Sequence, residues 1–164
     1  MKIIKMIVLV FLVSSESIAQ VCDTNTVDSH FNTFVDKKNG TIVDENLKLQ
    51  WMKCNYGERY EQGSCSGASE KLPMHIAQSK AKNYKLADEN NWRLPTLVEL
   101  SSLTKKGCML PSTDIELFPT FNSEMYWTSD RFQFFSWTVS FDHGFPVAAQ
   151  MGYPKNVRYV RSID

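Results

Sequence analysis

The first apolar feature of the chain is an unbroken run from Met6 to Val13, preceded by Lys2 and Lys5 and followed by the small residues Ser17 and Ala19. A positive start, a short greasy stretch and a small-residue cleavage point predict an export signal over residues 1–19, with a mature domain over residues 20–164. The run is shorter than the ~20 residues that a membrane-crossing helix needs, so no stable membrane insertion is expected. Gln20 and Val21, not small residues, precede Cys22, which argues against a lipidated cysteine.

Beyond the signal the pattern switches between periods of two and of about four. Phe34-Val35 and Ile42-Val43 flank Asn39-Gly40, a hairpin signal. Leu47, Leu49 and Trp51 alternate with Lys48 and Gln50, which predicts a further strand with Trp51 inward. From Pro73 to Ala87, Ile76, Ala77, Ala81 and Tyr84 recur at helical spacing, predicting an amphipathic helix closed by Asn90-Asn91. Thr96 and Glu99 then have capping-box spacing ahead of Leu97, Leu100 and Leu103, the buried stripe of a short second helix. Lys105 and Lys106 suit its negative end, and Gly107 suits a left-handed terminator. After Cys108 the chain reads as strand and loop. Met125–Thr128 forms one strand, Trp137–Phe141 and Phe145–Ala149 form a hairpin around Asp142-His143-Gly144, and Val157–Arg161 closes the chain as a docked strand.

Removing the signal leaves roughly 145 residues, enough for one core. Lys plus Arg equal Asp plus Glu at 18 each, and this neutrality argues against nucleic acid, whose binders show a strongly basic face. Four cysteines in an exported chain favour two disulfides over metal ligation. Asn55–Ser64 is polar and contains glycine, as a closed surface loop should, so Cys54 is paired with Cys65 and, by elimination, Cys22 with Cys108. The longer bridge has the greater entropic effect. No C-x-x-C or Cys/His spacing marks a metal site, and no cofactor is expected.

A set of short motifs in fixed order resembles the Lcl C-terminal domain family, also called the domain of unknown function 1566. These are Gly40–Asp44, Leu49–Cys54, Asn91–Thr96 with Glu99-Leu100, Phe118-Pro119, Tyr126–Ser129, Ser136–Phe141 with Gly144, and Val157–Arg161. The resemblance implies an α+β, loop-rich domain similar to C-type lectins and to the formylglycine-generating enzyme, with two short helices flanking twisted antiparallel strands. It also implies life outside the cytosol, secreted or periplasmic, and binding of polysaccharide in adhesion. This chain departs in carrying Glu45-Asn46-Leu47-Lys48 where the family has a threonine-glycine turn, and in lacking a collagen-like stalk.

Trp92, Arg93, Trp127, Trp137, Arg158 and Arg161 suggest a sugar site, but motif tryptophans and arginines at strand ends are more often packed core, with Arg93 holding loops together. An acidic polysaccharide is better matched by Lys80, Lys82 and Lys85 on the first helix and Lys105 and Lys106 near the second, although a solvated helix face gives the same pattern. Phe132, Phe134 and Phe135 beside Arg131 are either tucked under the hairpin or exposed to an envelope protein partner. Catalysis finds no constellation. His30, His75 and His143 stand alone, the cysteines are oxidised, and Asp114 with Glu116 reads as solvated charge, so a non-enzymatic role is expected. Asp88–Asn91 and Asp142 are the only loop oxygens nominated for calcium, and no metal is assigned.

Overall fold

The computed structural model describes residues 19–26 and 28–163; the predicted export signal, apart from Ala19, lies outside the described residues. The fold is α+β: mostly antiparallel strands, two short helices and long loops, with the disulfides Cys22–Cys108 and Cys54–Cys65.

Strand β1 (Val21–Cys22) is a short arm that pairs antiparallel with β7 (Cys108–Met109), placing the two cysteines opposite each other. A 3-10 turn at His30–Thr33 leads into β2 (Phe34–Asp36), which forms the predicted hairpin with β3 (Thr41–Asp44). Asn39 shapes that turn by accepting from the Thr41 amide and hydroxyl, and Gly40 at φ +87° takes a conformation that side chains resist. Strand β4 (Leu49–Met52) follows, later than the alternation suggested. Leu47 is exposed in the turn, where the Asp44 carboxylate caps the amides of Asn46 and Leu47, and Lys48 turns left-handed at φ +54°. Trp51 is fully buried, as its alternation required.

Inside the shorter disulfide loop lies a small hairpin, β5 (Arg59–Glu61) with β6 (Ser64–Ser66), for which the polar sequence gave no apolar alternation. Helix α1 covers only Met74–Ala81. The helical spacing continues to Ala87, but Ala87 and Asp88 adopt φ of +54° and +62°, so the chain turns instead of winding on. Helix α2 (Leu97–Ser101) carries the predicted capping box in both directions, Glu99 N–H to Thr96 Oγ1 at 3.2 Å and Thr96 N–H to Glu99 Oε2 at 2.7 Å. It ends before Leu103, which is nonetheless fully buried; Gly107 at φ +75° closes the following turn, not the helix.

The second half forms a three-stranded sheet of β8 (Met125–Phe132), β9 (Phe135–Ser140) and β10 (Phe145–Gln150), in the order β10-β9-β8. The last strand, β11 (Val160–Ser162), docks on β4 to give the sheet β11-β4-β3-β2. Val157 to Val160 are all buried, so the terminal segment has no solvent face despite its apparent alternation.

Two apolar clusters fill the interior. One gathers Ile42, Trp51, Leu100, Phe118, Tyr126 and Phe141; the other gathers Met52, Met74, Trp92, Trp127 and Tyr159 under α1. Between them Arg158 is fully buried, with no carboxylate in salt-bridge contact among the described residues. Its guanidinium donates to the carbonyls of Met52 (2.7 Å) and Lys53 (2.5 Å) and to Asn55 Oδ1 (2.6 Å), and lies 4.1 Å from the Phe121 ring centroid. Burial pulls it down to about 10, which leaves it charged at neutral pH.

Candidate functional site

The surface beside α1 brings together more of the nominated residues than any other. Helix α1 ends at Ala81 because the segment after it drops Tyr84 into an aromatic cage, with ring centroids 5.2 Å from Tyr159, 5.7 Å from Tyr56 and 6.3 Å from Trp92. Burial, with the neighbouring phenol of Tyr56, pushes the Tyr84 hydroxyl up to about 12. The Trp92 indole N–H donates to the Glu89 carbonyl at 3.1 Å, and Asn91 at φ +61° finishes the turn. This tight return lays residues 82–91 alongside the helix.

Two depressions result, and Lys82 lines both. The first, of about 460 Å³, has Trp92 and Leu94 on its apolar side and His75, Gln78 and Arg93 on its polar side. The second, of about 290 Å³, is formed by Lys82, Lys85, Asn90 and Asn91. Lys80, Lys82 and Lys85 are exposed and make no ion pair among the described residues; the Lys80 ammonium lies 5.8 Å from the Tyr56 ring centroid.

Arg93 contributes position more than charge. Its guanidinium forks onto both oxygens of Glu99 at 2.7 Å, while its backbone N–H and C=O exchange 2.9 Å hydrogen bonds with Val160. Burial works to raise the Glu99 carboxyl, but the bonds from Arg93 and Thr96 outweigh it and hold it below its ordinary range. Arg93 therefore ties the α2 cap to the terminal strand and walls the cleft.

The other nominated residues lie elsewhere. Lys105 is engaged: its ammonium sits 2.8 Å from Asp114 and 5.9 Å from the Phe31 ring centroid. Lys106 lines a separate depression with His30 and Asp28. Arg131 lies near the end of β8, paired with Ser136, and Phe134 sits in the β8–β9 turn, where Gln133 is left-handed at φ +51° and Phe134 is 80% exposed. Behind this tip Phe132 stacks on Phe135 at 5.7 Å and meets Trp137 at 5.8 Å, and a recess of about 480 Å³ opens between Phe134, Phe135 and Met151.

The catalytic and metal nominations gain no geometry. Asp114 is occupied by Lys105 and by the amides of Glu116 and Leu117. Glu89 pairs with Arg161 at 3.2 Å. Cys54, Glu58 and Cys65 lie close enough to share an ion, but the two sulfurs are bonded to each other and offer no thiolate.

Of the motif residues, Trp51, Trp92, Trp127 and Arg158 are all interior, which is the pattern of a fold signature and not of an exposed site. The sequence profile of the Lcl C-terminal domain matches residues 40–161, a span that takes in every one of these motifs. The chain belongs to the Lcl C-terminal domain family. No curated protein matches it. The Lcl C-terminal domain here thus uses its shared residues for packing, and its exposed lysines and aromatic tip lie outside the buried motif positions. Two features escaped the sequence reading. The double role of Lys82 depends on the left-handed turns at 87–91, and a polar pocket around Asn156 draws on four distant segments; neither leaves a local pattern.

Proposed function

We propose that this Lcl C-terminal domain is a non-catalytic recognition module working in the secreted or periplasmic space, with an acidic polysaccharide as its ligand. Two disulfides suit an oxidising compartment, and among the described residues no helix is long and apolar enough to cross a membrane. The observation that carries the reading is Lys82, which joins two adjacent depressions beside Lys85, neither ammonium being paired with a carboxylate among the described residues. Lysines are mobile point charges that follow sulfates or carboxylates along a flexible chain, and the neighbouring asparagines Asn90 and Asn91 can bond hydroxyls. The C-type-lectin likeness implied by the motifs is consistent with this use of loops.

The test is retention of the oxidised protein on immobilised heparin over a salt series. Retention should weaken steadily with salt, because the attraction is between exposed charges. Replacing Lys82 and Lys85 together with alanine should weaken binding by about tenfold, equivalent to ~1.4 kcal/mol. Absence of retention at low salt overturns the reading.

A second reading, a protein-interaction subunit of an envelope assembly, rests on the 80% exposure of Phe134 at the β8–β9 tip. An exposed aromatic of this kind is costly in solvent unless something covers it.

A further inference from the structure

We infer that a second pocket, at the open end of the β8–β9 pair, binds one uncharged, hydroxyl-rich ring of monosaccharide size. The inference rests on that pocket's own geometry and not on the lysine groove. Its volume is about 300 Å³, at the small end of the ~300–1,000 Å³ usual for ligand pockets. Four segments far apart in sequence build it: Lys71, Ser123–Met125, Ser140 with Asp142, and Pro154–Asn156.

Backbone hydrogen bonds fix these walls in advance. Leu72 and Lys155 exchange N–H···O bonds of 2.9 and 3.0 Å, Asn156 N–H donates to Met125 O at 3.1 Å, and Phe141 N–H donates to Glu124 O at 3.0 Å. Leu110 N–H donates to Asp142 O at 2.9 Å. Such a site loses little freedom when it is filled.

The polar groups then decide the ligand. Asn156 is 1% exposed; its Nδ2 donates to Glu124 Oε2 at 2.7 Å, but its Oδ1 is enclosed with no hydrogen-bond partner. That oxygen is closed off from solvent, so the groups a ligand meets first are the exposed ones around it. Glu124 is held charged below its ordinary range, first by the hydrogen bond from Lys71 at 2.7 Å and then by that from Asn156. The Asp142 carboxylate, the Ser123 and Ser140 hydroxyls and the Lys155 ammonium make no side-chain hydrogen bond or ion pair among the described residues.

Acceptors and donors are thus interleaved, which matches a ring whose every hydroxyl both gives and takes a hydrogen bond. Two carboxylates and two ammoniums line the pocket, which leaves it without net charge. A sulfated or carboxylated sugar would meet Glu124 and Asp142, and a divalent cation would meet Lys71 and Lys155. Nor do Glu124 and Asp142 belong to a cluster of three metal-type donors among the described residues.

The experiment is amide-resonance titration of the protein, both disulfides formed, with D-galactose, D-mannose and N-acetyl-D-glucosamine in turn. High salt screens the lysine groove, and a parallel arm adds calcium chloride. The expected result is saturable shifts at Met125, Ser140, Asp142 and Asn156 with at least one sugar, at an affinity on the order of millimolar. Asp142→Asn and Ser140→Ala, at side chains with no internal bond to lose, should each weaken it about tenfold. The Lys82→Ala, Lys85→Ala protein should bind the sugar unchanged, so failure on heparin and failure here are read separately. Lack of saturable shifts with all three sugars overturns the inference, as do shifts that survive both pocket variants. It is equally overturned if calcium moves these amides while the sugars do not.

Discussion

The sheets β11-β4-β3-β2 and β10-β9-β8 lie in one small domain and differ in how much of themselves they leave exposed. Every residue of β4 is buried, and much of the polar surface around it is turned inward: Gln50 donates to Thr41 Oγ1 at 2.9 Å and accepts from Arg161 at 2.6 Å, and Arg158 takes the carbonyls at the end of the strand, while Trp51 Nε1 and Arg158 Nε are enclosed without a partner among the described residues. In the other sheet, most of β10 and the hairpin end of β8 face outward, with Phe132, Phe134 and Phe145 at 44%, 80% and 66% exposure. The first sheet is closed around β4, which has no residue open to solvent. The second is held by strand pairing and leaves its surface open to change.

The sharpest way to break the contrast is Arg158→Met. It removes the donor to two buried carbonyls and to Asn55, and should cost about 3 kcal/mol or more in denaturant unfolding, since each orphaned buried acceptor costs ~1–3 kcal/mol. Little change would mean that the buried cation gives nothing net.

A smaller effect is expected in acid at the edge of the same sheet. Burial works to raise the Asp36 carboxyl, but hydrogen bonds from Lys38 and Lys53 win and bring it down to about 2 from 3.8. A depressed carboxylate stabilises the fold above its unfolded value, and that contribution fades as pH falls from about 4 through about 2. Asp36→Asn should therefore lower the midpoint of unfolding at pH 7 and flatten its dependence on pH across that window. An unchanged acid profile would show that Asp36 does not govern it.

The smallest effect should be at the open sheet. Phe134→Ser at the β8–β9 tip should alter stability by no more than ~0.5 kcal/mol, measured by thermal unfolding, because the ring contributes little to the core. Unfolding of the variant would place Phe134 in the structure-forming set and remove the observation behind the protein-partner reading.

How far the sequence could be read follows the same division. Trp51, the capping box of Thr96 and Glu99 and the β9–β10 hairpin were legible because each has a local rule: alternation, a fixed spacing, a turn between apolar runs. The disulfide pairing followed from loop composition and parity. Helix α1 was overread because the helical spacing of Tyr84 serves an aromatic cage built with Tyr56 and Tyr159, which no local window contains. The grouping of Lys82 with Lys85, and the separation of both from Lys105, depended on the same return of the chain.

The two disulfides are nested: Cys54–Cys65 spans 11 positions inside the 86 spanned by Cys22–Cys108. A chain made from its N-terminus presents Cys22, then Cys54 and Cys65, well before Cys108 exists. Oxidation in order of appearance would join Cys22 to Cys54, a link absent from the fold. The native arrangement therefore requires Cys22 to stay reduced until the chain is complete, or a thiol exchange that moves it onward. Correct maturation of this domain is in that sense a problem of timing.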